Sequence, residues 1–337
     1  MDPRMLLERL LAGDDLTQDQ AGELMEALIA SEVADVVKAG LLVALRAKGE
    51  TADEVRGMAL AMRRAARPLP RDDDELVVDT CGTGGDGSHS FNVSTATALL
   101  CAAGGCRVVK HGNRSVSSQC GSADVLEALG IPLPPDPESA ATALRTHGFT
   151  FLFAPVFHPA MKAVVPVRRG LRVRTVFNVL GPLTNPASPR HQLVGAFSED
   201  AAVLMAETLS GLPIDRAFVV HGAPSWDEAT PVGPFLLLDV TPGQVVRRTV
   251  DPAEYGLARC APEDLAGGDA RHNAGLLRTL FAGERNAIRD AVVLNTALVF
   301  QLVGSASAPR EAADLAAAVI DDGRAQRYLD RLVGSSG

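Results

Sequence analysis

Residues 76–103 read Leu76-Val77-Val78-Asp79-Thr80-Cys81-Gly82-Thr83-Gly84-Gly85-Asp86-Gly87-Ser88-His89-Ser90-Phe91-Asn92-Val93-Ser94-Thr95-Ala96-Thr97-Ala98-Leu99-Leu100-Cys101-Ala102-Ala103. A β-prone run, Leu76 to Asp79, enters a glycine-rich turn, and Ser94 to Ala103 then reads as a helix of small residues. A glycine turn between a strand and a helix offers free backbone N–H groups at the positive end of the helix dipole, which makes an anion site. Glycine also permits positive φ and close backbone approach to a phosphate. Residues 82–87 satisfy G-x-G-x-x-G, but a dinucleotide fold needs an acidic residue near the end of the second strand. That strand, Arg107-Val108-Val109, runs instead into Lys110-His111, and a basic strand end suits a phosphate. A tight turn without a ligand is the plain alternative. No Gly-Lys pair occurs anywhere, so there is no Walker lysine.

Outward from this stretch, strand and helix patterns alternate. Ser122 to Leu129 reads as a helix closed by Gly130, Glu138 to His147 as another, and Phe151-Leu152-Phe153 as a strand. Gln192 to Phe197, Ala217 to Val220 and Phe235 to Val240 are further strand candidates, with a helix from Asp200 to Leu209; residues 271–303 and 309–333 are helical again. Such alternation predicts an α/β fold with a largely parallel central sheet covered on both faces. The first 70 residues are helical only. Thr17 with Gln20 and Thr51 with Glu54 are capping boxes, and a stretch beginning at Ser31 carries Val36, Val37, Leu41, Leu42 and Leu45 as a helix expected to be buried on more than one side. Arg71-Asp72-Asp73-Asp74-Glu75 reads as a linker. Met161 to Asn185, with Pro166 and Pro182, interrupts the alternation and reads as a helical excursion back to the first domain. The expected organisation is a small helical domain of residues 1–70 plus about 169–190, and a large α/β domain of residues 71–168 plus about 191–337, with the active site in the cleft between them.

The chain has 337 residues, of which 47% are hydrophobic, enough for roughly two domains with sizeable cores. Its 32 Lys plus Arg against 41 Asp plus Glu leave a net charge of −9, which disfavours a general nucleic-acid binder. No apolar run approaches a membrane span, and Met1-Asp2-Pro3 and the residues after it lack a basic segment followed by an apolar one, so no membrane partner and a cytoplasmic location are expected. The five cysteines form no C-x-x-C pair and read as reduced thiols.

Three other segments carry chemistry. Asn92-Val93-Ser94-Thr95 would serve either as a helix cap or, beside the glycine turn, as donors to phosphate or to a Mg²⁺ ion. Lys110-His111-Gly112-Asn113-Arg114-Ser115-Val116-Ser117-Ser118 packs two cations, a histidine, an amide and hydroxyls behind a strand, with no apolar face for a core. Loops at the carboxyl ends of strands converge in an α/β sheet, so the two loops together describe a site for a doubly phosphorylated sugar. Asp227-Glu228 would be a solvated turn or, in the same crevice, hard oxygen ligands for Mg²⁺. Among Arg168, Arg169, Arg172 and Arg174, one guanidinium facing the cleft would clamp a carboxylate. No G-x-S-x-G, H-E-x-x-H or H-x-E motif is present.

At these residues the chain resembles the anthranilate phosphoribosyltransferase family, with a nucleoside phosphorylase/phosphoribosyltransferase-like fold. The matching segments are Gly82 to Asp86, Asn92 to Thr95, Lys110 to Gly130, Phe151 to Met161, Thr175 to Pro186, Asp227-Glu228 and Asp251 to Leu298. The resemblance implies transfer of the phosphoribosyl group of 5-phosphoribosyl-1-pyrophosphate (PRPP) to anthranilate, in tryptophan biosynthesis, by a homodimer joined through its small helical domains. It implies PRPP contacts from Gly82, Gly85, Asp86, Ser90, Asn92, Val93, Ser94, Thr95, the run Lys110, His111, Gly112, Asn113, Arg114, Ser115, Val116, Ser117 and Ser118, and Ser122. Ser94 and Glu228 are expected to hold one Mg²⁺ and Asp227 with Glu228 a second; Gly82, Asn113 and Arg168 are expected to face anthranilate. Counting ten residues back from Asn178 selects Arg168 over Arg169. Two departures from the family pattern are Ala223-Pro224-Ser225-Trp226 before the acidic pair and Arg169-Gly170-Leu171-Arg172 after Arg168. No general base is assigned, although His111 and His158 fall in the matching motifs. The alternatives are a pyrimidine nucleoside phosphorylase-like enzyme, which would need no Mg²⁺, and a non-catalytic relative that binds nucleic acid.

Overall fold

The computed structural model describes residues 2–72, 74–115 and 119–334. Four helices come first, α1 (Pro3–Leu11), α2 (Gln18–Ile29), α3 (Asp35–Lys48) and α4 (Ala52–Ala65). Both capping boxes are formed, Thr17 with Gln20 and Thr51 with Glu54. Glu54 is fully buried and does more than cap. It accepts from Leu16 N at 2.9 Å and pairs with Lys48 at 3.0 Å, tying α4 to the entry of α2 and the end of α3. The third helix differs from the sequence expectation: it begins at Asp35 rather than Ser31, and it is not buried on more than one side. Leu41, Leu42 and Leu45 enter the core, while Val36 is 78% and Val43 45% exposed. An apolar pattern reports which surface avoids water, not whether this chain's own core covers it.

The α/β part continues as β1 (Val78–Gly82), α5 (Val93–Ala103), β2 (Val108–Gly112), α6 (Ser122–Leu129), α7 (Pro137–His147), β3 (Phe149–Phe153), α8 (Ala154–Phe157), α9 (Val165–Leu171), α10 (Phe177–Leu183), β4 (His191–Gly195), α11 (Glu199–Ser210), β5 (Arg216–His221), β6 (Phe235–Thr241) and β7 (Gln244–Val250). Four C-terminal helices follow, α12 (Ala270–Phe281), α13 (Ala287–Leu302), α14 (Pro309–Asp321) and α15 (Arg324–Gly334). The seven strands lie in the order β3-β2-β1-β4-β5-β6-β7. The first five are parallel, and β6 and β7 extend the sheet as an antiparallel hairpin. The sequence reading had no β7, because Gln244-Val245-Val246-Arg247-Arg248-Thr249-Val250 lies largely exposed at the edge and lacks a clean two-residue alternation.

Helices α5 and α12 to α15 pack on one face of the sheet around Leu99, Val292 and Leu298. On the other face, α11 and sheet residues Val194, Val219 and Leu238 share one apolar cluster with α1 to α4. Val164, Val167, Phe177, Leu180 and Leu183 of the 161–185 excursion join that second cluster. Two side chains of the N-terminal helices reach into it: Lys38 Nζ donates to Ala163 O at 3.0 Å, and Arg63 Nε donates to Leu183 O at 2.8 Å. The first strand leads to α5 on one face and β4 leads to α11 on the other. A crevice therefore opens outside the carboxyl ends of β1 and β4, where the strand order reverses.

Candidate active site

Two glycines end the strands at this crevice. Gly82 and Gly195 are partners in the β1–β4 ladder, and the Asp227 turn lies directly on both. A Cβ on Gly195 would stand 1.5 Å from Asp227 O, and one on Gly82 would stand 2.3 Å from Asp227 Oδ2. The atypical segment before the acidic pair holds the turn there. Gly222 and Trp226 exchange backbone hydrogen bonds at 2.8 and 3.0 Å, Trp226 is buried in the core, and Thr230 Oγ1 donates to Ala223 O at 2.8 Å.

Asp227 and Glu228 then meet the other two loops. Gly84 N donates to Asp227 Oδ2 at 2.6 Å, and Asp227 N donates to Asp86 Oδ2 at 3.2 Å. Asp86 Oδ1 is held by Ser88 N and Ser88 Oγ. Ser90 Oγ donates to Glu228 Oε2 at 3.3 Å, and Ser94 N donates to Glu228 Oε1 at 3.4 Å. Gly84, Gly85 and Gly87 have φ of +65°, +71° and +76°, and an added Cβ there meets nothing. Backbone conformation, not space, requires glycine at these three positions.

The hydroxyl cap expected of this segment is not formed, and the N-cap position falls to Asn92. Its side chain makes no cap hydrogen bond; it donates to Cys120 O at 3.2 Å and accepts from Asn273 Nδ2 at 2.8 Å. The amides of that first turn are already engaged, Val93 N by Phe91 O, Ser94 N by Glu228 Oε1, and Thr95 N and Ala96 N by Asn92 O, so an anion here would meet the positive end of the helix dipole and the Ser94 and Thr95 hydroxyls. Val93 is buried and points its side chain into the core, and Thr95 Oγ1 is buried without a hydrogen-bond partner. Lys110, also buried, donates from Nζ to Thr80 O at 2.6 Å and to Ser94 Oγ at 3.3 Å, joining the second loop to the first. Burial lowers its pKa from the ordinary lysine value.

Beyond Lys110, Gly112 leaves room for Ser122 Oγ, which an added Cβ would approach to 2.3 Å. Ser122 Oγ donates to Asn113 O at 3.2 Å. Asp124 Oδ2 accepts from Ser115 N at 3.1 Å and Gly121 N at 2.9 Å, pinning both ends of the loop. Val116, Ser117 and Ser118 lie outside the described residues. Arg114 is turned to carboxylates: NH1 pairs with Asp124 at 3.1 Å and Glu127 at 2.5 Å.

Toward the helical side, the arginine cluster divides. Arg168 lies over the Phe177 ring at 5.0 Å, outside the hydrogen-bonded network of Asp86, Ser94, Asp227 and Glu228. Arg174 lies over Phe197 at 4.1 Å and donates to Gly85 O, and all four arginines are exposed. Against α10 lies a polar group that local sequence patterns do not assemble. His111 and His158 rings stand 5.1 Å apart, and His111 Nδ1 contacts Gly181 O at 3.3 Å. That contact requires a proton on Nδ1 and leaves Nε2 bare. Both Nε2 atoms are buried without a partner, as are NH1 and NH2 of Arg63. Burial pushes His111 down to about 3, with the neighbouring His158 adding to it, and burial pushes His158 down to about 4. Both rings are neutral near pH 7.

Other supporting residues also escaped the sequence. Buried Asp79 accepts from His111 N at 3.3 Å and Asn185 Nδ2 at 2.8 Å, and Asn273 reaches Asn92 from a helix far along the chain. No local signal marks Asn273; Asn185 sits in a recognised motif without an evident role.

Burial first, and then the charge of Asp86, pushes Asp227 up to about 7; burial followed by Asp227 and Asp86 raises Glu228 well above the carboxylate range. Three crowded carboxyls with few cations nearby suit a divalent ion that lowers their mutual repulsion. No group of three or more His, Cys, Asp or Glu side chains among the described residues is arranged to hold a metal. An ion here would take one or two carboxylates and complete its shell with phosphate and water oxygens, which is how Mg²⁺ binds. The donor set is all oxygen, and it fits.

Two sequence profiles cover most of the chain: residues 4–66 match the helical bundle domain of the Glycosyl transferase family, and residues 74–326 match that family's a/b domain. An anthranilate phosphoribosyltransferase of Solibacter usitatus is 46% identical over 97% of this chain and 96% of its own. The crystal structure of anthranilate phosphoribosyltransferase from Thermus thermophilus superposes with a TM-score of 0.91 at 44% identity, covering 98% of this chain and 99% of that one. The Saccharomyces cerevisiae enzyme in complex with PRPP and Mg superposes with a TM-score of 0.89 at 26% identity, over 99% and 97% of the two chains. The same yeast protein has also been solved in complex with 4-fluoroanthranilate.

Proposed function

The chain belongs to the anthranilate phosphoribosyltransferase family, and on that premise we propose that it joins PRPP to the amine of anthranilate, releasing pyrophosphate, at the crevice between β1 and β4. The observation that carries this reading is the seating of the Asp227-Glu228 turn on Gly82 and Gly195, against the glycine turn and the first turn of α5. Phosphate donors, hard oxygen ligands and a buried lysine meet at one place, as a sugar phosphorylated at both ends requires.

In this reading the backbone amides of 85–87 and the positive end of the α5 dipole, with Gly82, Ser90, Asn92, Ser94, Thr95 and the Lys110–Ser118 loop, hold PRPP. Ser94 and Glu228 would hold one Mg²⁺ and Asp227 with Glu228 a second. Bound there, the ions supply charge neutralisation for the pyrophosphate leaving group. Lys110 fixes Ser94 from below, and Asp124 closes the Lys110 loop. Gly82, Asn113 and Arg168 face the acceptor, whose carboxylate pairs with the Arg168 guanidinium. The aromatic amine is nucleophilic when neutral, so positioning rather than a strong base carries the attack. Neutral His111 and His158 provide a dry wall beside it.

The same reading divides the chain into a small helical domain of residues 1–70 plus about 169–190 and a large domain of the rest, with a cytoplasmic location. No helix among the described residues is long and apolar enough to cross a membrane. Two copies pair through the helical domain. Support for that pairing comes from Met5, Leu11, Val36 and Val43, which expose apolar side chains on the adjoining helices α1 and α3. Val36→Glu is expected to shift the protein from dimer to monomer in sedimentation; a dimer that persists would place the contact elsewhere.

Incubation with PRPP, Mg²⁺ and anthranilate, followed by loss of anthranilate fluorescence, tests the transfer. Turnover that survives removal of all divalent metal would favour the phosphorylase-like chemistry instead, and PRPP binding without loss of anthranilate would overturn the acceptor.

A further inference from the structure

Helix α5 ends in Cys101-Ala102-Ala103-Gly104-Gly105-Cys106, remote from the anion site at its other end. Gly105 has a φ of +100° and donates to Ala102 O at 3.1 Å, while Cys106 N donates to Cys101 O at 3.0 Å. These paired bonds are the Schellman stop signal, in which the third residue from the helix end and the residue just past the left-handed glycine bring their side chains together. Apolar side chains usually make that contact, and here two cysteines do. The bond between their backbones holds the two Cα atoms within about 7 Å, a separation that a disulfide spans with little or no backbone movement. Cys101 is fully buried and Cys106 half-buried, so only one of the pair is reachable from solvent.

We propose that Cys101 and Cys106 form an oxidation site, a dithiol that hydrogen peroxide or another hydroperoxide closes into a disulfide across the end of α5. The Cys106 sulfur attacks the terminal peroxide oxygen, the O–O bond breaks, and the departing oxygen leaves as water from hydrogen peroxide or as an alcohol from an organic hydroperoxide, giving a sulfenic acid on Cys106. The Cys101 sulfur attacks that sulfenic sulfur, the S–S bond forms, the S–O bond breaks, and the sulfenic oxygen leaves as water together with the Cys101 proton. Two thiols lose two electrons and the peroxide gains them.

The electrostatics assign the two roles in this order. The Cys101 thiol donates to the Cys106 sulfur, which lowers the Cys106 pKa, whereas burial raises Cys101 well above the ordinary thiol value. Cys81, Cys120 and Cys260 are all raised, by burial first and by nearby carboxylates. Cys106 is thus the thiol of the five most available as thiolate. The staple lies at the opposite end of α5 from Ser94, so transferase activity is expected to persist after oxidation.

Peroxide treatment of the full chain, quenching with N-ethylmaleimide and mass spectrometry after cleavage past Phe91 separates Cys81 from the pair. The expected result is a loss of about 2 Da on the Cys101–Cys106 peptide, reversed by dithiothreitol, with a midpoint of thermal unfolding a few degrees higher. Cys106→Ser is expected to abolish the loss. Cys101→Ala is expected to leave Cys106 as a sulfenic acid trapped by dimedone, so the inference stays testable if one variant folds poorly. A wild-type protein in which Cys106 gains oxygen while Cys101 still alkylates after denaturation would overturn the proposal, as would the 2 Da loss appearing on other cysteines.

Discussion

The carbonyl oxygen of Asp227 occupies the place where Gly195 would carry a side chain, 1.5 Å from an ideal Cβ. A strand residue that lacks a side chain at a sheet's switch point lets a neighbouring loop enter the crevice and present its carboxylates at backbone depth. Gly195→Ala is therefore expected to push the 227–228 turn out of the crevice while leaving the sheet folded. Turnover is expected to fall at least a hundredfold, about 2.7 kcal/mol of barrier. Gly275→Ala is the control: nothing lies within 4 Å of its added Cβ, it is helical, and it is expected to gain about 0.5–1 kcal/mol. Circular dichroism and thermal unfolding of both proteins, alongside turnover, decide the matter; a Gly195→Ala enzyme with ordinary turnover would dissociate the close approach from catalysis.

Arg168 tests the acceptor side. Its guanidinium stands over Phe177, away from the phosphate-binding network, so Arg168→Ala is expected to raise KM for anthranilate roughly tenfold or more, the loss of one charge-assisted pair. KM for PRPP is expected to stay within about twofold. Equal rises in the two constants would show that this side chain serves the cleft as a whole rather than the acceptor.

Asp227→Asn removes a charge while keeping an oxygen that accepts from Gly84 N. If Asp227 holds Mg²⁺, turnover falls roughly a hundredfold and the metal concentration for half-maximal rate rises. Titrating Mg²⁺ against the initial rate checks both. Unchanged turnover at limiting Mg²⁺ would remove Asp227 from the metal site.

How much of this was legible in the sequence follows from the range of each interaction. Capping boxes, the Gly130 stop of α6 and the strand-to-glycine-turn junction are signals a few residues long, and they foretold α2, α4, α6 and the loop after β1 with small errors at the ends. Burial of α3 was misread because Val36 and Val43 are apolar yet face outward. The edge strand β7 escaped because Arg247 and Arg248 interrupt its pattern. Asp86, Ser94, Asp227 and Glu228 were marked by chemistry and motif, and the fold joins them in one hydrogen-bonded network. What the sequence did not reveal were the residues that position them. Asn273 reaching Asn92, Asn185 reaching Asp79 and Lys110 reaching Thr80 O are pairings across tens to hundreds of residues, which no local spacing encodes.

The neutral histidines make a prediction of a different kind. His158 titrates at about 4 in the folded protein and His111 at about 3, against about 6.5 for a histidine in an unfolded chain. Above pH 6.5 both states are neutral and the groups have no effect on stability. As the pH falls below 6.5 the unfolded chain takes up protons that the folded chain refuses, so stability drops by up to about 1.4 kcal/mol per pH unit for each histidine until its folded pKa is reached. Asp227 and Glu228, whose folded values are raised, act in the opposite direction, so the comparison must be made against a variant. His158→Gln is expected to lose stability less steeply than wild type in urea titrations between pH 6.5 and 4.5, by about 2 kcal/mol over that interval. Parallel declines in the two proteins would mean that His158 is protonated in the fold, and the dry wall assigned to it beside the acceptor would have to be abandoned.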